Sequence, residues 1–261
     1  MQARAELIVH VDGRGQTRPT TMLGEAPLLL RVTDCDHDAL TIHLVGGAAG
    51  PLGGDRLSTR VDVGAGACLR VRSVAASMAQ PGRVPGSASE ARVDVTVASN
   101  AALHWHPQPL VSVVGSNHVQ RTTVALADES VRVGWIDEVV LGRHGEPGGR
   151  LTMHQRFTVD GRPVLHHTLR FGPESGAIGR HGRFRVAITA VELGVESPTS
   201  APAVIVDTTR RLCRLNLDTS HTMWTALADD LDEARSGLAE LGLGAMGGFH
   251  VTNRVLETVD V

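Results

Sequence analysis

The sequence predicts an all-β fold, mostly strand with one or two helices, whose strands stack either as β-hairpins or as β-helix-like coils. Three observations lead there. Short runs rich in Val, Ile, Leu and Thr recur along the chain, bounded by Gly, Asp, Asn and Ser. Three segments follow one plan, a β-branched run, a tight turn of small or polar residues and a second run: "RVDVGAGACLRVRS" at 60–73, "RVDVTVASNAALHWHPQP" at 92–109 and "RTTVALADESVRVGWIDEVVL" at 121–141. Their corresponding positions Leu69, Leu103 and Val131 are spaced by about 30 residues, within the range of stacked-repeat architectures.

The elements follow in order. "AELIVHVDGRGQTR" alternates and then turns at "DGRG". "APLLLRV" and "ALTIHLV" are two more strands, separated by the polar turn "TDCDHD", and "GGAAGPLGGD" at 46–55 is a Gly-rich loop. Between copies of the repeat, "SMAQPGRVPGSASEA" at 77–91 has the Pro, Gly and Ser of a mobile loop. "LTMHQRFTV" and "RPVLHHTLRF" are joined by Asp160-Gly161, a strong hairpin signal. "RFRVAITAVEL" and "APAVIVDTT" continue the strand pattern. An amphipathic helix is expected near 221–241, where Trp224, Leu227, Leu231, Ala234, Leu238 and Leu241 recur at steps of three and four. Ser220 or Thr219 would cap it, Gly242 would end it, and its apolar stripe would dock on the protein's own sheet.

Composition bounds the chemistry. At 261 residues, with 42% hydrophobic content, the chain is expected to form a single all-β unit over 1–261. With three Trp, four Phe and no Tyr, its core must be aliphatic. A net charge of -3 argues against general nucleic-acid binding, which needs clustered positive charge. All 25 basic residues are Arg, so no Schiff-base or phosphate-loop lysine is available. Cys35, Cys68 and Cys213 are widely spaced and form no C-x-x-C, so neither a disulfide framework nor a cysteine zinc site is indicated. The start "MQARAELIVHVDGRG" lacks the apolar run of a signal peptide, and no apolar run approaches ~18 residues. A cytoplasmic protein without a membrane span is expected.

Motifs narrow the choice further. "GLGAMG" at 242–247 satisfies G-x-G-x-x-G, but a helix precedes it where the dinucleotide fingerprint requires a strand, so it reads as a helix stop and loop. No nucleotide-binding P-loop, nucleophile elbow or H-E-x-x-H is present. In "ALHWHPQP" at 102–109, His104 and His106 are two apart, so on a strand both imidazoles share a face. They are either two ligands for a metal such as Zn, Cu or Ni, with no obvious third, or ordinary strand-end histidines. The adjacent His166 and His167 would point to opposite faces. Asp55 ends the Gly-rich loop, Glu138 lies near the end of a strand, and Glu146 sits in "GRHGEPGG". Such carboxylates either cap backbone N–H groups or mark an ion path or partner contact.

The order of "GGAAGPLGGDRL…VDVGAGACLRV", "NAALHWHPQPLV", "DEVVLGRHGEPGGRL" and "VDGRPVLHH" resembles the urease accessory protein D family. The matching residues are Gly46, Gly47, Gly54 and Asp55; Trp105, Pro107 and Pro109; and Glu138, Gly142, Arg143, Gly145 and Glu146. The resemblance is strongest over about 5–172, and 173–261 diverges. "RSVAASMAQPG" stands where the family has a Thr-rich strand, His104 stands where many members have an acid, and the family's Gly-Arg…Gly-Glu interval is a residue longer. The resemblance implies a mostly β, β-helical scaffold and not an enzyme. It implies a urease maturation chaperone whose partners are the urease apoprotein, accessory protein F and the accessory GTPase G. No cofactor would be tightly bound. Ni²⁺ would pass transiently, with Asp55, His104, His106, Glu138 and Glu146 as candidate stations. Weak stations suit transit, because a full ligand set would trap the ion.

Two other readings are set against this one. A metal-dependent β-helical enzyme acting on carbohydrate would line a groove with aromatics and a carboxylate pair, for which this composition is poorly equipped. A purely structural β protein would leave the Gly-Asp and Gly-Glu loops unexplained.

Overall fold

A computed structural model describes residues 1–35, 39–172, 184–197 and 201–244. The first half holds β1 (Gln2–Val11), β2 (Thr17–Gly24), β3 (Leu28–Cys35), β4 (Leu40–Gly46), β5 (Arg56–Val63), β6 (Cys68–Ser73), β7 (Ser77–Ala79), β8 (Ser89–Val97), β9 (Ala102–Trp105) and β10 (Leu110–Ser112). Then come β11 (Asn117–Leu126), β12 (Arg132–Leu141), β13 (Arg150–Val159), β14 (Arg162–Phe171), β15 (Val186–Leu193), β16 (Ala203–Val206), β17 (Arg210–Asn216) and β18 (His221–Ala228). The helix α1 (Leu231–Glu240) closes the described chain.

The strands form two sheets. One is seven-stranded, in the order β14-β13-β11-β8-β5-β1-β2. The other runs β16-β17-β18-β15-β12-β9-β6-β4-β3, with β10 and β7 attached beside β12. The repeat seen in the sequence is a solenoid coil. Each tight turn carries the chain from the first sheet to the second, β5 to β6, β8 to β9 and β11 to β12, and the next coil pairs in parallel with the last. These turns use Gly66 and Asn100 at positive φ, 69° and 58°. Asp160 and Gly161, at φ 48° and 72°, make the expected hairpin between β13 and β14.

Parallel stacking explains why the interior is aliphatic. One row runs Leu7, Val61, Val95, Val124 and Phe157 across the first sheet. The facing row runs Leu40, Leu69, Leu103 and Val133. The third member of the sequence repeat is therefore Val133 and not Val131. Both are fully buried, but Val131 lies before β12, in the turn. Each such side chain contributes roughly 1.5–3 kcal/mol relative to exposure. Trp105 and Trp135 continue the stack as neighbours, with ring centroids 4.6 Å apart and planes within 2°.

Two expectations need adjustment. Only the second half of the segment 221–241 is helical; His221–Ala228 is β18, between β15 and β17. Both faces of this strand are covered, Met223 by the inter-sheet core and Trp224 by the helix cluster, so its apolar residues lack strict alternation and mimic helix spacing. Asp230, not Ser220 or Thr219, is the N-cap, accepting from the Glu233 N–H at 2.8 Å. Gly242, at φ 83°, does end the helix, and Ala234, Leu238 and Leu241 pack on Leu212 and Trp224 of the sheet as the stripe required. The segment 77–91 begins and ends in strand, β7 and the start of β8. Residues 36–38 of the polar turn and 245–247 of "GLGAMG" lie outside the described residues.

Candidate functional site

Strand β12 organises the site. Its alternation sends Val133, Trp135, Asp137 and Val139 between the sheets, and Ile136 and Glu138 to the face under α1. Adjacent carboxylates thus occupy different environments. Asp137 accepts from Trp135 Nε1 at 2.8 Å, from Gln120 Nε2 at 3.4 Å and from Gln155 Nε2. Gln155 turns its Oε1 to the Nε2 of His167, so one amide links an edge-strand imidazole to the buried carboxylate. Burial pushes the Asp137 carboxyl above its ordinary value, and the donors offset only part of that.

Asp137 borders a cavity of about 150 Å³. The cavity lies between the sheets on the side of the long coil-to-coil loops. Trp105, Gln108, His118, Gln120 and Glu138 also line it, and it has room for several waters. His118 is 1% exposed, and its Nδ1 meets Ser89 Oγ at 2.8 Å. Burial pushes this imidazole down to about 4, so it is neutral at neutral pH.

Glu138, with a side chain 1% exposed, receives Arg235 of α1 in a two-pronged ion pair, Nε to Oε1 at 2.8 Å and NH2 to Oε2 at 2.7 Å. His106 Nε2 lies 3.4 Å from the same Oε1. Burial raises the Glu138 carboxyl, but the bonds from His106 and Arg235 outweigh it and hold the group below the usual carboxylate range. His104 points to the same side of the sheet, opposite Gly134 on β12. Burial, Arg72, His106 and Arg70 push it down to about 4. The structure therefore brings His106 and Glu138 together, with His104 one step along the strand.

Asp55 and Glu146 do different work. Asp55 accepts from the Met1 amine at 2.8 Å and from the Leu52 N–H at 2.9 Å, which ties the Gly-rich loop to β1. Glu146 closes its loop on Arg143, accepting from the backbone N–H at 2.9 Å and from the guanidinium at 3.0 and 3.1 Å, which holds its carboxyl at about 2. Gly142 has φ 79°, and a Cβ there would lie 2.2 Å from the Glu146 carbonyl oxygen; Gly54 and Gly145 also have positive φ. Gly46 ends β4, and Gly47 packs against Leu29. Pro107 borders the cavity, and the Pro109 carbonyl accepts from the Ser77 N–H. Among the described residues, no three of His, Cys, Asp and Glu gather as a metal site.

Sequence reasoning passed over Asp137, Gln120, Gln155, His118 and Arg235. A signal existed for Asp137: it takes an inward position in the alternating run "VGWIDEVV". Arg235 gave none, because its partner lies 97 residues away.

Fold and site together define a two-sheet β-solenoid protein with one buried carboxyl, Asp137, at an internal cavity and a second, Glu138, on the face under α1. The profile of the UreD urease accessory protein family matches residues 1–246, and the chain belongs to that family. A urease accessory protein UreD of Parafrankia sp. (strain EAN1pec) is 39% identical over 193 residues, 66% of this chain and 64% of its own length, so the match spans just under two thirds of that relative. Urease accessory protein UreD 3 of Streptomyces griseus is 41% identical over 175 residues, 66% of this chain and 68% of its own. Urease accessory protein UreD of Frankia alni is 31% identical over 276 residues, 92% of both chains. Among the described residues, no helix is long and apolar enough to cross a membrane.

Proposed function

We propose that this chain is a non-catalytic scaffold of urease maturation, acting in the cytoplasm. It binds the urease apoprotein together with accessory protein F and the accessory GTPase G, and supports delivery of nickel. The observation that carries this reading is the family match over residues 1–246. The geometry supports the nickel part. An ion entering the cavity would meet Asp137. On the opposite face of β12, under α1, an ion at Glu138 would find one carboxylate and the His106 imidazole, with Arg235 already competing for the carboxylate. Such a station releases its cargo, whereas a complete ligand set would retain it. The carbohydrate-enzyme alternative gains nothing from the tryptophans, since Trp105, Trp135 and Trp224 are all buried and none can offer a face to a sugar.

The test is co-expression with accessory proteins F and G and urease from the same source, purification on this chain, and urease assay at limiting nickel. The partners should come down and activity should depend on the chain. His104→Ala/His106→Ala should keep the circular dichroism of the parent and lower activation. Normal activation by that variant would remove the nickel station, and a chain that purifies alone while urease matures without it would remove the scaffold reading.

A further inference from the structure

The outer face of the seven-stranded sheet sets arginines and histidines side by side. Arg92 on β8 is directly opposite Arg121 on β11, and Arg121 is directly opposite His154 on β13. One row along, Arg156 is directly opposite His166 on β14, and Arg170 ends that edge strand's exposed side. Neighbouring strands are about 4.8 Å apart, and like charges directly opposite each other destabilise a sheet. The acids on this face offset Arg92 and Arg121 but not Arg156 and Arg170. Glu90 pairs with Arg121 at 3.0 Å and Asp94 pairs with Arg92. Arg156 and Arg170 meet no acid among the described residues, and both are exposed. The His154 imidazole registers the field: partial burial, then Arg121, Arg170 and His166, push it below its ordinary value. The whole chain carries -3, so this patch opposes the sign of the molecule.

We infer that this face, from Arg92 across to Arg170, docks a carboxylate-lined surface of a partner protein. Guanidinium forks match carboxylates in two-pronged geometry, and an exposed sheet presents them from a rigid frame. Glu90 and Asp94 interleave with the arginines, so the face meets carboxylates one at a time, as a protein surface presents them. The face is a broad sheet rather than a groove, which suits a protein better than a nucleic-acid strand. This inference goes beyond the scaffold reading and is tested without urease.

The purified full chain is applied to immobilised poly-L-glutamate and, in parallel, to heparin, across a salt series. Arg156→Glu/Arg170→Glu is compared with the parent and with Arg83→Glu, an exposed change in the loop after β7. The parent and Arg83→Glu should bind poly-L-glutamate at low salt and release as salt rises, while the double variant binds roughly tenfold more weakly. The double variant should melt no lower than the parent, because both positions are exposed and neither arginine holds an acid among the described residues; if it fails to fold, Arg156→Gln/Arg170→Gln takes its place in the same assay. Failure of the parent to bind poly-L-glutamate, or equal binding by the double variant, overturns the inference. Tighter binding to heparin overturns it in favour of a polyphosphate ligand. Self-association of the parent that the double variant loses overturns it in favour of a second copy of this chain.

Discussion

Arg235 and Glu138 are 97 residues apart in the chain and meet in a two-pronged ion pair that fastens α1 to the outer face of β12. The carboxylate is 1% exposed and the guanidinium 42% exposed. Removing one partner of a fully buried pair costs about 3–5 kcal/mol. Water can reach the site vacated by Arg235, so Arg235→Met should cost about 2 kcal/mol. Glu138→Gln/Arg235→Met should cost less than the two single changes added together, because neither leaves an unpaired charge. Urea unfolding of the four proteins measures the coupling. A coupling near zero would mean that His106 and water already satisfy Glu138.

The buried imidazoles set a pH dependence. Burial holds His118 at about 4, against 6.5 when unfolded. The folded value is the lower one, so this stability is fully present above pH 6.5 and is lost as pH falls toward 4. The gap is worth on the order of 3 kcal/mol, at about 1.4 kcal/mol per pH unit. His118→Asn should therefore lose less stability than the parent between pH 6.5 and 4.5. Asp137 and Glu192, with carboxyls raised by burial, slope the other way. For that reason the informative quantity is the difference between variant and parent, read from urea midpoints across the range. Parallel curves for the two proteins would show that His118 titrates normally.

The coils were legible because each repeats a strand, a tight turn and a strand with inward Leu or Val, and that pattern is local. Val133 was displaced to Val131 because both positions are apolar and the turn before β12 is a residue longer than the others, a detail that only the parallel register with Leu103 fixes. His221–Ala228 misled for a related reason. A strand covered on both faces loses its period of two, so spacing alone cannot separate it from a helix. In the site, the His104/His106 pair and Glu138 were visible as residues. Their meeting was not, because it depends on β9 and β12 lying side by side. Asp55 and Glu146 could not be told apart from Glu138 by sequence, since a capping carboxylate and a converging one look alike until their donors are seen.

The two glycines of the loop after β12 separate backbone strain from crowding. Gly142 and Gly145 have nearly the same φ, 79° and 77°. A Cβ at Gly145 meets nothing within 4 Å, whereas one at Gly142 would sit 2.2 Å from the Glu146 carbonyl oxygen. Gly145→Ala should cost about 1 kcal/mol, the conformational penalty alone. Gly142→Ala should cost at least about twice that, because the backbone around Glu146 must move and the Arg143–Glu146 contacts loosen with it. Chemical denaturation of the two variants checks the order; equal costs would mean that the loop shifts freely.

The stacked tryptophans differ in what surrounds them. Trp135 is packed by Trp105 on one face, meets the edge of Phe157 at 5.9 Å, and donates its Nε1 to Asp137. Trp105 shares the same stack but also lines the cavity of about 150 Å³. Trp105→Leu therefore widens an existing space, whereas Trp135→Leu opens a new one and takes a donor from a buried carboxylate. The stack itself is worth about 0.5–1.5 kcal/mol and is lost in either variant. Large-to-small changes at buried aromatics cost about 3–5 kcal/mol, so Trp135→Leu should fall at the top of that range and Trp105→Leu at or below its bottom. Urea unfolding gives the order, and the near-ultraviolet circular dichroism of the ring pair should disappear in both. If Trp105→Leu proved as costly as Trp135→Leu, the wall of the cavity would be as tightly constrained as the core behind it, and Trp105 would be holding the cavity's shape rather than merely bordering it.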